Sequence, residues 1–271
     1  MSASRARSYL FVPGNRPERF AKAEASGADQ VILDLEDAVP PAEKLRAREK
    51  VQRWLETGHA GMVRLNAPGS EWFADDLEMC QTPGVAGVVL PKAESSEDIR
   101  SVAQVLRGIP IFPLIETAQG VWNAHGIAME PGVERLVLGA LDLQLDLGIE
   151  GDGEELDLFR SHLVLVSRVA RLASPVDGVS VAIEDIEQVR SEAARARRLG
   201  FGAKLCIHPR QVPVIHACFA PTEEQRAWAQ RVKAAAEAAG GAAAMVDGKM
   251  VDRPVIEQAE SILARLEELS D

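Results

Sequence analysis

Cysteine is scarce in this chain: the three present, Cys80, Cys206 and Cys218, form no CxxC pair. That scarcity excludes a disulfide-stapled scaffold, and the odd count suits a reducing compartment. No uninterrupted apolar run is long enough to span a bilayer. The N-terminal stretch carries basic residues but turns polar too soon for a secretory signal, so a cytoplasmic location is expected. Positive charge is also in deficit, with 30 Lys and Arg against 41 Asp and Glu, a formal net charge of -11. A phosphate backbone is repelled on average by such a surface, which argues against nonspecific nucleic-acid binding but leaves room for a local basic pocket. No GxGxxG fingerprint follows an early strand, no GxSxG elbow is present, and the five histidines make no HExxH motif. Dinucleotide-binding, serine-hydrolase and zinc-protease readings are weakened accordingly.

What is present is a chain of 271 residues, 46% apolar and 26% charged. That is enough to bury a core without staples and too apolar for a disordered chain. Short β-like runs alternate with helical patterns. Strands are expected near 8–12, 30–34, 62–65, 87–90, 110–115, 135–138, 175–179 and 203–207. Helices are expected near 17–26, 42–56, 98–106, 118–128, 155–173 and 186–199. Eight strands with crossover helices suggest a closed parallel α/β barrel, and an open doubly wound sheet is the alternative. The barrel places the polar residues after each strand on one rim.

The tail reads differently. Thr222 is suited to cap a helix over 223–239, Gly240 and Gly241 break it, and 242–246 can form a short strand before an Asp247-Gly248-Lys249 turn. A final helix is expected over 254–268. The division is thus 1–220 for a catalytic barrel and 221–271 for a C-terminal helical extension that packs on its own barrel or on a neighbouring subunit.

Several segments can carry chemistry. In Phe11-Val12-Pro13-Gly14-Asn15-Arg16-Pro17, a strand ends in a turn that enters a helix, with Pro17 where a missing N–H costs nothing. Arg16, with Lys22 farther along, can bind a phosphorylated ligand or simply face solvent. In Asp34-Leu35-Glu36-Asp37, three carboxylates crowd one strand end, so they need water, a metal or cationic partners such as Lys44, Arg46 or Arg48. Arg64, in Val63-Arg64-Leu65-Asn66, can clamp a carboxylate or developing enolate, or close a salt bridge inside the barrel. Alternation turns Arg64 and Asn66 to the same side. Lys92 can pair with the acidic segment. Glu116 follows one strand and Asp142 the next. Adjacent strand ends can bring the two together, and two oxygen ligands with several waters suit Mg2+. Such a cation can hold a 2-oxo acid or a 3-hydroxyacyl group. Asp146, Asp177 and His208 are weaker rim candidates, and Cys206 reads as packing.

Taken in order, SYLFVPGNRPERF, VILDLEDAV, VRLN, VVLPK, LIETAQG, GALD, LGFGAKLCIHPRQV, PTEEQ and DGKMVDRPVIEQA span nearly the whole chain. Together they resemble the citrate lyase beta-subunit-like branch of the HpcH/HpaI aldolase superfamily. The resemblance implies a TIM (β/α)8 barrel and Mg2+-dependent C–C bond chemistry on acyl thioesters. It assigns Glu116 and Asp142 as metal ligands, Arg64 as the substrate-positioning arginine, and Glu36 and Asp37 as the acidic segment behind them. Arg16 and Lys22 are implied to contact CoA phosphates. Asp252 is implied as an acid contributed by the C-terminal segment, in cis or from a neighbouring subunit. A homo-oligomer, with a trimer favoured, is implied as well.

The implied reaction splits a malyl-, citramalyl- or citryl-type thioester into a 2-oxo acid and an acyl thioester such as acetyl-CoA. The carrier is either free CoA or, in a citrate lyase beta subunit within a larger complex, an acyl-carrier protein. A free 2-oxo-acid aldolase and a nonenzymatic scaffold are weaker alternatives. Leu141 departs from the family pattern, since many relatives carry an acid immediately before the metal aspartate.

Overall fold

In the computed structural model, residues 5–239 and 244–268 are described. The chain divides into two compact units, Met1–His216 and Ala217–Asp271.

The first unit is a closed barrel of eight parallel strands in sequential order. These are β1 (Ser8–Pro13), β2 (Gln30–Asp34), β3 (Gly61–Arg64), β4 (Val85–Leu90), β5 (Ile111–Ile115), β6 (Val137–Leu138), β7 (Val176–Asp177) and β8 (Ala203–Cys206). β8 pairs back onto β1, with Tyr9 opposite Leu205, and leaves no open edge. The crossovers carry α1 (Phe20–Glu24), α2 (Lys44–Glu56), α3 (Phe73–Met79), α4 (Ser96–Val105), α5 (Ala118–Ala128), α6 (Ala140–Leu147), α7 (Asp157–Val169) and α8 (Ile186–Leu199), and α9 (Gln211–Phe219) follows the last strand.

Strands such as Val31-Ile32-Leu33 are apolar on both faces because the outer face meets helices and the inner face fills the barrel. Inside, Tyr9, Ile32, Met62, Val89, Phe112, Leu114, Val137 and Val176 form one packed cluster. Helix starts are set by local chemistry. Ser95 and Asp98 form a reciprocal capping box on α4, Thr117 accepts from the Gly120 N–H on α5, and Asp185 accepts from the Gln188 N–H on α8. Gly200 ends α8 at φ 103°, a conformation glycine adopts freely.

Three expectations are corrected. The long helix expected over 155–173 is a 3-10 turn, Glu154–Leu156, followed by α7, which ends at Val169, and Arg171 then adopts φ 59°. The strand expected over 135–138 is trimmed to β6, whose pairing with β5 begins only at Val137. The strand expected over 175–179 shortens to two residues, and α3, α6 and α9 are additional helices.

The second unit holds α10 (Glu223–Ala238), an antiparallel pair β9 (Ala244–Val246) and β10 (Lys249–Val251), and α11 (Arg253–Glu268). Thr222 and Gln225 form a capping box on α10. Ala229, Val232, Val246, Val251 and Ala259 make a small separate core. The expected Gly240–Gly241 break, and residues 242 and 243 of the expected strand, lie outside the described residues. Among the described residues no helix is long and apolar enough to cross a membrane.

Candidate active site

Inward-facing positions alternate along each strand, so residues two beyond the packed cluster point into the barrel mouth. Ile32 leads to Asp34, Met62 to Arg64, Leu114 to Glu116 and Val137 to Gly139. Register places Asp34 opposite Arg64 on neighbouring strands. Asp34, Arg64 and Glu116 line a cavity of about 440 Å³, joined by Asp37, Asp142 and Arg19 and walled by apolar groups such as Phe11, Leu141 and Val179. This is the carboxyl end of the parallel strands, where barrels build their sites.

Arg64 is held on three sides. Its Nε donates to Asp34 Oδ1 at 2.7 Å and its Nη2 to Asp34 Oδ2 at 2.6 Å, a bidentate clasp. Its Nη1 lies 2.9 Å from Glu36 Oε2 and 3.7 Å from Asp37. The guanidinium also sits 4.7 Å from the Phe11 ring centroid. Burial would lower the arginine's pKa, but Asp34 and then Glu36 outweigh it, so the group stays charged. Burial pushes Glu36 up to about 7, against the pull of Arg64 and with added repulsion from Asp37 and Asp34. The expected acidic segment therefore gathers around Arg64. Lys44 instead donates to the carbonyls of Leu35 and Glu36, while Arg48 pairs with Asp75 and Asp76.

Glu116 follows directly on β5, with 2% of its surface exposed. Burial pushes its carboxyl up to about 8, and Glu36 and Asp142 add to the rise through like charge. One hydrogen bond opposes this: the Lys92 N–H donates to Glu116 Oε1 at 2.8 Å. Asp142 lies in the first turn of α6, half-buried, rather than in a loop. That position suits a carboxylate, because the first turn of a helix favours negative charge.

A family model for HpcH/HpaI aldolase/citrate lyase matches residues 7–209. The chain belongs to this family. It is 40% identical to a citrate lyase subunit beta-like protein of Deinococcus radiodurans, with 95% of this chain and 96% of that one covered. It is 35% identical to a (3S)-malyl-CoA thioesterase of Cereibacter sphaeroides, with 97% and 95% covered. Among solved structures, CitE from Mycobacterium tuberculosis in complex with magnesium, acetoacetate and coenzyme A superposes with a TM-score of 0.88 at 36% identity, covering 98% of this chain and 100% of that one. As a member of the HpcH/HpaI aldolase/citrate lyase family, the chain is a lyase.

Within the first unit, the other expected residues of this HpcH/HpaI family member fall outside the cavity. Arg16 is exposed, 3.9 Å from Glu18, and Lys22 is exposed as well. Arg19, between them in sequence, is the basic residue that lines the cavity. Asp252 is exposed in the second unit, where its carbonyl accepts the Ile256 N–H at the start of α11. Asn66 binds Asp76 through both its backbone N–H and its side chain. His208 Nδ1 accepts the Arg210 N–H. Asp146 accepts the Ala118 N–H and so caps α5. Asp177 is fully buried on the outer wall of the barrel, and Cys206, pushed up to about 12 by burial, is inert packing.

At the amino end of the strands, Ser8, His216 and Asp29 meet, but Ser8 Oγ and Asp29 Oδ2 both approach His216 Nε2, at 2.8 and 3.2 Å. A serine nucleophile needs its base held through the other ring nitrogen, so this cluster is a structural staple. Asp34, Arg19, Gly139 and the Lys92 amide are the site features that sequence reasoning left out of its active set. Asp34 alone carried a visible signal, as one of three acids at a strand end.

Proposed function

We propose that this chain is a Mg2+-dependent carbon–carbon lyase that cleaves a 3-hydroxyacyl-CoA thioester of the malyl, citramalyl or citryl type into a 2-oxo acid and a shorter acyl-CoA. One observation carries the reading. Glu116, buried beside the negative charge of Asp142, opens onto the same cavity as the clasped Arg64.

The donor set fits a hard divalent cation. Burial and two neighbouring carboxylates make an ionised Glu116 costly, and a cation relieves each of those costs. The described residues contain no cluster of three His, Cys, Asp or Glu side chains poised for a metal. Two carboxylates with room for water and substrate oxygens match the habit of Mg2+ rather than that of zinc. Glu116 and Asp142 would hold the ion. When bound, it supplies Lewis-acid stabilisation of negative charge on substrate oxygens. The magnesium in the solved CitE complexes supports the same choice.

The remaining roles belong to the side chains. Arg64 spends Nε and Nη2 on Asp34 and leans Nη1 on Glu36, and the donor protons left on Nη1 and Nη2 would meet a substrate carboxylate or thioester oxygen. Its clasp fixes the guanidinium before substrate arrives, so little reorganisation is needed as charge develops. Cleavage takes the proton from the 3-hydroxyl, turns that carbon into a carbonyl and sends the C–C bonding electrons into the thioester enolate. Glu36 and Asp37 hold Arg64 from the far side and keep the site acidic. Asp252 is assigned as the acid that returns a proton to the enolate carbon, and Arg16 and Lys22 as surface contacts for the phosphates of CoA. The apolar wall of Phe11, Leu141 and Val179 excludes water from the enolate.

The test is an assay of malyl-, citramalyl- and citryl-CoA with and without Mg2+, reading 2-oxo acid, acyl-CoA and free thiol together. The reading requires Mg2+-dependent 2-oxo acid in step with the shorter acyl-CoA. Free thiol with the hydroxy acid intact would establish hydrolysis instead. That second reading is favoured by the 35% identical (3S)-malyl-CoA thioesterase. Cleavage confined to acyl-carrier-protein thioesters would replace the CoA assignment with that of a citrate lyase beta subunit.

A further inference from the structure

Leu90-Pro91-Lys92 leaves β4 through an unusual backbone step. Lys92 has φ 48°, in the left-handed region where an L side chain crowds its own carbonyl. Two other non-glycine residues do so among the described ones, Arg171 and Asp247, and both sit in exposed turns. Lys92 sits at the active-site mouth. Nothing about its side chain demands the conformation, since the side chain is exposed and makes its local contribution by charge, on Glu36.

What the step achieves is the joint placement of two successive amides. The Lys92 N–H reaches Glu116 Oε1 at 2.8 Å, and the following Ala93 N–H returns to the Leu114 carbonyl of β5 at 3.3 Å. The opposite face of the same carboxylate rests on Gly139. A Cβ there would fall 2.4 Å from Glu116 Cβ and 2.5 Å from Oε2. Glu116 is therefore seated between a donor from one loop and a missing side chain from another.

We propose that Lys92 is a positioning residue of the lyase whose working group is its main-chain N–H: its left-handed backbone lets the chain keep that amide on Glu116 while the next amide turns back to Leu114, which fixes the carboxylate for cation binding, a task that does not use the ammonium. This rests on Glu116 being a metal ligand, as proposed above. The amide acts through Glu116 and touches no substrate. A strained conformation persists at a functional site when its surroundings over-determine it, and here the seat of Glu116 supplies the reason.

The experiment compares Lys92→Gly, which removes the ammonium and accepts the backbone freely, with Lys92→Val, which keeps the N–H but resists the left-handed region. Mn2+ binding by electron paramagnetic resonance reads the seat without turnover, and circular dichroism with thermal unfolding confirms the fold. K92G should bind Mn2+ within about threefold of wild type, and K92V about tenfold more weakly, with kcat falling more than KM rises. Lys92→Ala should fall between them, and it decides the matter if the valine variant does not fold. Affinity lost in K92G as fully as in K92V, or retained in K92V, would overturn the proposal.

A second measurement does not depend on metal. In metal-free protein labelled with 15N-lysine, the Lys92 amide proton, assigned by its absence in K92G, should move upfield in E116A, because its acceptor is removed whatever the protonation state of the carboxyl. An unmoved resonance overturns the clasp. Equal Mn2+ affinity in wild type and E116Q would instead remove Glu116 from the ligand set, while the amide resonance still reports on the seat.

Discussion

The barrel buries charge in two places, and the two are built in opposite ways. On the outer wall, Asp177 takes Arg160 Nε at 3.1 Å on one oxygen and Lys204 Nζ at 2.6 Å on the other. Arg160 also reaches Asp152 and Asp157, and Lys204 lies 3.8 Å from Glu192. Burial would raise the Asp177 carboxyl, but Lys204 and Arg160 outweigh it and hold the group below the usual carboxylate range. At the mouth, Asp34, Glu36 and Asp37 face the buried Arg64, with Lys44 buried behind them, while Glu116 and Asp142 share the cavity, and the Glu36 and Glu116 carboxyls rise instead of falling. The wall is closed in that each of its carboxylates has a cationic partner, the longest pairing being Lys204 to Glu192 at 3.8 Å. The mouth is left with negative charge that only a further cation completes, and that imbalance marks a site for function rather than for fold.

The largest effect should come from breaking the mouth. Glu116→Gln keeps the shape and removes the charge. We expect turnover to fall about 1,000-fold, on the order of 4 kcal/mol of transition-state stabilisation. Metal-free stability should hold or rise, because a repelled carboxylate is gone. A variant with near-wild-type turnover would end the contrast at its functional side. Asp177→Asn tests the other side. It strands Arg160 and Lys204 in the wall and should lower unfolding free energy by about 3–4 kcal/mol in a denaturant titration. The folded fraction should keep its Mg2+ affinity. Loss of metal binding in that variant, with the fold intact, would show that the two networks are not separate.

A smaller effect is expected at Asp34, which belongs to the mouth but acts by holding Arg64. Asp34→Asn breaks a charged bidentate pair and should reduce kcat/KM by about 2 kcal/mol, or roughly thirtyfold. Mn2+ affinity should change little, since Glu116 and Asp142 are untouched. Equal losses of metal and turnover would make Asp34 part of the cation site itself.

How these regions read in sequence follows from the range of the interactions involved. β2, α5 and α8 match their expected bounds because their signals are local: an apolar run for β2, and caps at Thr117 and Asp185 for the helices. Glu116, Asp142 and Arg64 stood out as charged groups at strand ends, and the cavity gathers them. α3 spans seven residues, about two turns, too few for an apolar period to register. Asp177 looked like a rim acid because its partners, Arg160 and Lys204, lie 17 and 27 residues away in sequence. Asp34 likewise meets Arg64 across 30 residues. Lys92 was legible as a cation and not as an amide donor, because a backbone dihedral at a lysine leaves no mark on residue type.

The last effect is in pH, and it separates the two networks by sign. Glu116 and Glu36 titrate near 8 and 7 in the folded protein against 4.5 as the reference value. Between 4.5 and these values the folded chain keeps protons that the unfolded chain has released. Metal-free stability from the mouth therefore falls as pH rises from 5 to 8, by at most about 1.4 kcal/mol per pH unit for each group. Asp177 works the other way. Its folded pKa lies below the reference value of 3.8, so its contribution is full above that value and is lost as acid protonates the folded carboxyl. Thermal midpoints of metal-free wild type should decline from pH 5 to 8, and those of E116Q should decline less. D177N, starting lower, should keep the wild-type slope over that range. Mg2+ should restore the wild-type midpoint most at pH 8, where it competes with the fewest protons. Parallel curves for wild type and E116Q would mean that Glu116 is already ionised when buried, and the mouth would then be as closed as the wall.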